Sequence, residues 1–398
     1  MGTTTKALGC AKDKKIVFIS HDLTQTGSPL LLIETAVKLR EAGAHIELVS
    51  LADKTPRNNA AARNNIKVFP TRDSFELCAK ADLVIANTTE TRSWVNRYLE
   101  RFSDRGGSLV WWIHELDADS YAGKMDSFSR AAMALFDSKA SLKSWIGAGI
   151  RLPPFTRVIY PCVDGKFLEQ STRDLFSYPR TGLLRKFLPQ PAIYGRSTIR
   201  KKLGIEPHDF VVTLVGLHPA RKGHALLVNT VGKIVGENPN LSLKIILVGF
   251  ASDYEKRKFI GGLNQPELKA LDIRRAITTV PDPSPYYAAS DALVINTQGL
   301  GENFGRVTIE GMTFKLPVLG TSAGGTPEIV DDGITGLLHP VGKPGQHVLT
   351  TNILTLMKDR AKAKAMGEAG YRRVQEKFTS SRFDAELDSL LETIFNNG

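Results

Sequence analysis

GENFGRVTIEGMTFKLPVLGTSAGGTPEIVDDGITGLLHP, residues 301–340, decides the architecture of this chain. The apolar run ALVIN (292–296) precedes it, and PVLG (317–320) and GLLHP (336–340) lie within it. Short continuous apolar runs read as parallel strands covered on both faces. A helix opens near Asn303 to Gly305, with Glu302 just before it and Glu310 on it. Eight residues at 100° each return to within ~80° of the starting direction, ~12 Å along the axis. Two carboxylates so spaced look into one cleft, and carboxylates accept hydrogen bonds from sugar hydroxyls. The amides around Phe304, Gly305 and Arg306, at the positive end of the helix dipole, favour a diphosphate between them. Gly305 lets the backbone come close. An E-x7-E pair also arises by chance on a solvated helix. Its setting, between a strand and the Gly-rich turn SAGGTPEIV, gives it weight.

The same strand–helix rhythm runs through most of the chain. In the first half the apolar runs are KIVFIS (15–20), HIELVSL (45–51), DLVIA (82–86), SLVWWI (108–113), AMALF (132–136) and RVIY (157–160). Between the first two, Pro29 to Leu39 places Leu32, Ala36 and Leu39 on one helical face, with Leu31 and Thr35 beside it. In the second half, FVVTLVGL (210–217), LKIILVGF (243–250) and AITTV (276–280) precede ALVIN. Long helical patterns over about 345–378 and 380–395 close the chain. The expected fold is α/β, with two doubly wound parallel sheets and a ligand cleft at the carboxyl ends of their strands. The expected boundaries are a flexible start over 1–14, a first domain over 15–164 and a connector over 165–202. A second domain follows over 203–378, and a final helix over 379–398 crosses back to the first.

The chain has 398 residues, enough for two domains, and its 42% hydrophobic and 23% charged residues suit a globular protein. Its net charge is +11. The segment 165–202 alone carries nine basic and two acidic residues, while residues 203–398 are balanced. The charge is therefore local, and no helix-turn-helix, zinc or RNA-binding signature accompanies it, so nucleic acid is not an expected partner. The segment reads first as a solvated insertion. Its sharper reading, with Arg180, Arg185 and Lys186 in mind, is a surface for anionic lipid or an acidic acceptor. Cys10, Cys78 and Cys162 have no paired spacing, which fits a reducing compartment. No apolar run reaches bilayer-spanning length and Met1 to Lys15 lacks a signal-peptide core, so a cytoplasmic protein, peripheral to a membrane at most, is expected.

The segment around Glu302 resembles the retaining, GT-B-fold glycosyltransferases of family 4. There a strand is followed by E-x-F-G-x-x-x-x-E-A, a short strand and G-G-x-x-E. Glu302, Phe304, Gly305 and Glu310 fit, as do Gly324, Gly325 and Glu328; Gly311 replaces the small Ala. The similarity covers almost the whole chain and is closest to plant-type members. VGLHPARKGHALL (215–227) resembles the family's G-R-x-x-x-x-K-G loop, in which Arg and Lys clamp the donor diphosphate. Lys222 aligns, Leu217 replaces the Arg, and Arg221 is the candidate second cation. HDLTQTGSPLL (21–31) resembles the loop after the first strand, with Gly27 and Ser28 where the family often has two glycines. Gly27 and Ser28 then approach the sugar or acceptor, and Ser28 also suits a plain helix N-cap before Pro29. His114, after the strand SLVWWI, matches a His that touches the transferred sugar in related enzymes; a structural role is an equal reading. Glu115 beside it is a weaker candidate. YPCVDGKF (160–167) resembles the P-x-G-V-D turn, with Cys162 for Gly and Asp164 as a turn cap. VPDPSPYY (280–287) resembles the base-binding loop.

The resemblance implies transfer of a hexose from a nucleotide diphosphate sugar, UDP-sugar by family frequency, to a hydroxyl-bearing acceptor with retention at the anomeric carbon. Glu310 would take the ribose, Lys222 and Arg221 the diphosphate, and Glu302 the sugar hydroxyls. Asn303, Phe304, Gly305 and Arg306 would contribute the helix-end amides. Front-face attack needs no enzymic nucleophile, in keeping with the lack of a Ser–His or Cys–His signature. No cofactor or metal is expected: DAD (117–119) imitates a D-x-D metal motif that belongs to the other glycosyltransferase fold. Three other readings compete. A catalytically silent nucleotide-sugar binder is motivated by Leu217. An NAD-type oxidoreductase lacks its G-x-G-x-x-G after the first strand. A nucleic-acid binder rests on charge alone.

Overall fold

The computed structural model describes residues 8–24, 26–52, 60–102, 108–163, 165, 195–280 and 282–397. Asp164, Arg180, Arg185, Lys186 and nearly all of the basic connector lie outside them. The chain divides into two compact units, Met1–Cys162 with Ser380–Gly398, and Val163–Thr379.

Unit 1 holds seven strands: β1 Lys15–Ser20, β2 His45–Ser50, β3 Val68–Pro70, β4 Leu83–Asn87, β5 Leu109–Ile113, β6 Met133–Phe136 and β7 Phe155–Val158. They lie in the order β3-β2-β1-β4-β5-β6-β7. Neighbours pair in parallel throughout. Successive side chains point to opposite faces, so one continuous apolar run feeds two cores. Ile16, Phe18, Leu83, Ile85, Val110 and Trp112 enter one cluster. Val17, Ile19, Val84, Ala86, Trp111 and Ile113 enter the other.

Unit 2 holds β8 Phe210–Val215, β9 Leu243–Phe250, β10 Ala276–Thr278, β11 Ala292–Ile295, β12 Val318–Thr321 and β13 Gly336–His339. Their order is β10-β9-β8-β11-β12-β13, again with parallel pairs. In each sheet the order reverses beside the unit's first strand, between β1 and β4 and between β8 and β11. That switch point is where an open α/β sheet leaves a crevice at its carboxyl edge.

Several elements differ from the expectations. β3 is three residues long, ends in proline and lies at the sheet edge, too short to stand out as an apolar run. β7 begins two residues before RVIY, and as an edge strand it alternates between exposed and half-buried positions. The pattern over 345–378 is two helices, Gly342–Lys358 and Arg360–Lys377. Asp359 breaks them: its backbone leaves the helical region, and its carboxylate accepts from the Lys362 amide at 2.8 Å. The residues from Leu8 onward do not belong to a flexible start. Leu8 precedes and Ala11 ends the 3-10 turn Gly9–Ala11, and both pack in the same cluster as Phe383, Leu387, Leu391 and Ile394 of the helix Ser380–Asn397. The Cys10 thiol donates to Asp388 Oδ1 at 3.0 Å, and Lys38 pairs with Asp384 at 2.7 Å. At the other end of the connector, Arg196–Lys202 form a helix. Arg200 there is buried, donating to the carbonyls of Ala289, Glu206 and Asp209.

Candidate active site

At the carboxyl edge of unit 2, the loop after β8 delivers Lys222 and the loop after β11 delivers Glu302. Lys222 donates its amide to the His218 carbonyl at 3.0 Å, closing a turn before the helix His224–Glu237. The Lys222 ammonium donates to Glu302 Oε1, which also accepts from the Thr297 hydroxyl. Both charged side chains are largely enclosed, 15% and 8% exposed. Burial pushes the Glu302 carboxyl up, but Lys222 and the Thr297 hydrogen bond outweigh it and hold it below the ordinary value of 4.5. Burial draws the Lys222 ammonium below its ordinary value against the pull of Glu302.

Glu302 is also fixed through its backbone. It bridges Gly324 in parallel, and its carbonyl accepts from the Gly325 amide at 2.8 Å. A Cβ on Gly325 would lie 2.0 Å from the Asn303 carbonyl oxygen, so only glycine allows this turn to lie against the loop. The two parts of the quoted stretch are therefore one built unit. The helix spans Arg306–Thr313, and its N-cap residue is Gly305, which has no side chain to cap it. Gly305 takes a left-handed φ of 89°, which favours glycine at this turn. Glu302 thus stands outside the helix, and the helical spacing to Glu310 does not apply; its carboxylate turns back to Lys222.

Glu310 is half-buried on the helix and accepts the Tyr287 hydroxyl at 3.0 Å. Tyr287 comes from the helix Ser284–Ala289 and is fully buried. Burial and the adjacent Glu310 push its phenol well above 10.0, so it remains a donor. The Phe304 side chain is enclosed, meeting the Phe378 ring edge-on at 5.7 Å. Its part in any ligand site is thus its backbone. Arg221 has an exposed side chain, and its carbonyl accepts from Gln298 N at 2.9 Å. Asn303 and Arg306 are half-buried at the same turn.

The unit 1 candidates lie at that unit's own carboxyl edge. The helix Gly27–Glu41 takes Thr26, not Ser28, as its N-cap residue, because Leu30 N donates to the Thr26 carbonyl at 3.2 Å. Gly27 and Ser28 are its first two residues, and a Cβ on Gly27 would meet nothing within 4 Å. His114 follows β5. Its Nδ1 contacts Asp137 Oδ2 at 2.6 Å and its Nε2 contacts Asn87 Oδ1 at 2.7 Å. Glu115 turns inward and accepts from the amides of Thr89 and His114. Burial pushes its carboxyl above 4.5, against the pull of His114. Nearby Thr88 has φ 69°, uncommon for a β-branched residue. Its hydroxyl meets His21 Nδ1 at 3.1 Å. Asp117 of the DAD segment caps a surface turn, accepting from the Ser120 hydroxyl at 2.5 Å. Among the described residues, no group of three His, Cys, Asp or Glu could hold a metal ion.

Sequence reasoning passed over Asn87, Thr88, Asp137, Tyr287 and Thr297. Asn87 is the last residue of β4, and Asp137 is the first after β6. Their signal was position: a polar residue where an apolar strand ends, at the edge where α/β sheets bind ligands.

Residues 12–152 match the family described as Glycosyl-transferase family 4, and residues 209–359 match Glycosyl transferases group 1. The chain thus matches glycosyltransferase models in both halves, family 4 in the first and group 1 in the second. D-inositol 3-phosphate glycosyltransferase of Rhodococcus erythropolis is a relative 31% identical over 153 residues, which are 36% of this chain and 33% of that protein. Spore coat protein SA of Bacillus subtilis is 26% identical over 201 residues, 50% of this chain and 52% of that one. The chain therefore spans between about a third and about a half of the length of these relatives. HepE of Anabaena, solved with UDP and glucose, superposes with a TM-score of 0.75 at 21% identity over 96% of this chain and all of that one. Sucrose-phosphate synthase of Thermosynechococcus elongatus gives 0.70 at 20% identity, over 97% of this chain and all of that one. These likenesses show the GT-B fold, two parallel-sheet α/β domains.

Proposed function

We propose that this chain is a retaining hexosyltransferase using a nucleotide diphosphate sugar, with UDP-sugar as the favoured donor. The observation that carries the reading is the Lys222–Glu302–Thr297 cluster beside the helix end at Gly305. A cation, a carboxylate and helix-end amides are the groups a sugar diphosphate needs. Lys222 and Arg221 hold the diphosphate, Glu302 the sugar hydroxyls and Glu310 the ribose. The acceptor oxygen bonds to the anomeric carbon as the bond to the β-phosphate oxygen breaks. The acceptor proton passes to the departing phosphate. Cations and amides stabilise the charge that develops there, and no metal is used. Unit 1 presents the acceptor, with His114, Gly27 and Ser28 on its ligand edge. The presence of UDP in the HepE structure and the inositol phosphate acceptor in the Rhodococcus name support the substrate class.

A thermal-shift panel of UDP-, GDP- and ADP-sugars tests the donor. Transfer assays with NMR of the product anomer, with and without chelator, test retention and metal independence. An inverted product or loss of turnover on chelation would overturn the corresponding part. A second reading, a silent nucleotide-sugar binder, is favoured by Leu217 at the clamp position. UDP binding with neither donor hydrolysis nor transfer across an acceptor panel would establish it. The protein is expected in the cytoplasm. Contact between its basic segment and anionic vesicles would be lost on neutralising Arg180, Arg185 and Lys186.

A further inference from the structure

His114 lies between two oxygen atoms. Asp137 Oδ2 faces Nδ1 at 2.6 Å and Asn87 Oδ1 faces Nε2 at 2.7 Å. With the Asn87 amide in this orientation, which leaves its buried Nδ2 without a partner, hydrogens sit on both ring nitrogens. Asp137 is itself held: the Trp112 indole donates to its other oxygen at 2.8 Å, and the Trp112 ring lies 5.2 Å from the imidazole. Both side chains of the His114–Asp137 pair are only 8% exposed. Charged groups acting on the ring include Asp137, after β6, and Glu115, on its own loop. β4 contributes the neutral Asn87 and β5 the Trp112 indole.

We propose that Asp137 and Asn87 are positioning residues that fix His114 as a doubly protonated imidazolium at the ligand edge of unit 1. The consequence for the reaction rests on the transferase reading above. A ring with hydrogens on both nitrogens donates and cannot accept, so His114 does not take the acceptor's proton. Both N–H groups are engaged, by Asp137 and by Asn87, so what the ring offers an electron-rich ligand oxygen is a fixed positive charge. Burial opposes that charge, but Asp137 outweighs it and holds the imidazole above 6.5. The opposite amide orientation, with Asn87 Nδ2 donating to Nε2, requires a neutral ring. The two arrangements are therefore distinguishable by proton count alone.

The test is nitrogen NMR of the full chain with labelled histidine, assigning His114 among the eight histidines by its loss in His114→Gln. About one pH unit above the ordinary imidazole value, the parent protein is expected to show imidazolium shifts for His114. Asp137→Asn is expected to show a neutral ring there. A neutral His114 in the parent at that pH overturns the proposal without recourse to any variant, and without bearing on whether the protein transfers sugar. A charged ring in a folded Asp137→Asn protein overturns the role of Asp137. In transfer assays, kcat/KM is expected to fall on the alkaline side, and Asp137→Asn to move that limb about one pH unit or more lower. An acid limb abolished by His114→Gln would mark His114 as a base and overturn its assignment as a fixed imidazolium.

Discussion

The Tyr287 hydroxyl donates to Glu310 Oε2 across 3.0 Å, from a fully buried ring to the carboxylate assigned to the ribose. One oxygen of Glu310 is thereby oriented by a group that no ligand touches directly. Tyr287→Phe removes the hydroxyl and keeps the ring packed at 5.7 Å from Phe314. The expected cost is about 1 kcal/mol of stability. KM for the donor should rise several-fold with kcat nearly unchanged. Discrimination between UDP and its 2′-deoxy analogue should shrink. Titration calorimetry with both nucleotides checks this; an unchanged preference would remove Tyr287 from the ribose site.

Glu302→Gln separates the ion pair from the sugar contact. It leaves the Lys222 ammonium enclosed without its carboxylate, which should cost about 3 kcal/mol in the free protein. Transfer should fall by about a hundredfold or more. Bound UDP supplies Lys222 with a new anion, so the melting temperature should recover more on adding UDP than it does in the parent. Equal UDP-induced shifts would place the diphosphate away from Lys222.

Gly325→Ala puts a methyl group against the Asn303 carbonyl. Backbone meets backbone there, so no rotamer relieves the clash. The loop carrying Glu302 must shift, and donor affinity should drop by about tenfold or more with a stability loss of about 1–3 kcal/mol. Gly27→Ala meets nothing within 4 Å and should leave the melting temperature unchanged, providing the control.

His224 and His339 give unit 2 a pH dependence. Both are buried, and burial, with the Lys222 charge added at His224, pulls each from 6.5 to about 4. Between those values the unfolded chain binds more protons than the folded one. Stability is therefore full above about 6.5 and falls as pH drops toward about 4, by at most about 3 kcal/mol per histidine. His339→Gln, which can still donate to Asn296, should flatten the melting-temperature curve between those limits. A curve as steep as the parent's would assign the acid sensitivity elsewhere.

Unbroken runs such as KIVFIS made the parallel sheets legible, because a strand buried on both faces has no polar alternation to hide it. β3 left no such trace in three edge residues. The candidate site was legible where the backbone itself demands a residue type, as at Gly305 and Gly325. Lys222 was legible through its place in a loop pattern, though its ion pair with Glu302 was not. Long-range partners have no sequence spacing: Tyr287 reaches Glu310 over 23 residues and Asp137 reaches His114 over the same separation. Only the sheet order brings β4, β5 and β6 side by side and so assembles Asn87, His114 and Asp137.

The helix Ser380–Asn397 supplies Phe383, Leu387, Leu390, Leu391 and Ile394 to the core beneath β1 and β2. That core therefore stays incomplete during synthesis until the whole of Val163–Thr379 has left the ribosome. Val163–Thr379 is continuous in sequence and complete before that helix is made, although the seven strands of unit 1 precede it. The core around Ile16 and Phe18 thus waits on Phe383 to Ile394, made after the whole of the other unit.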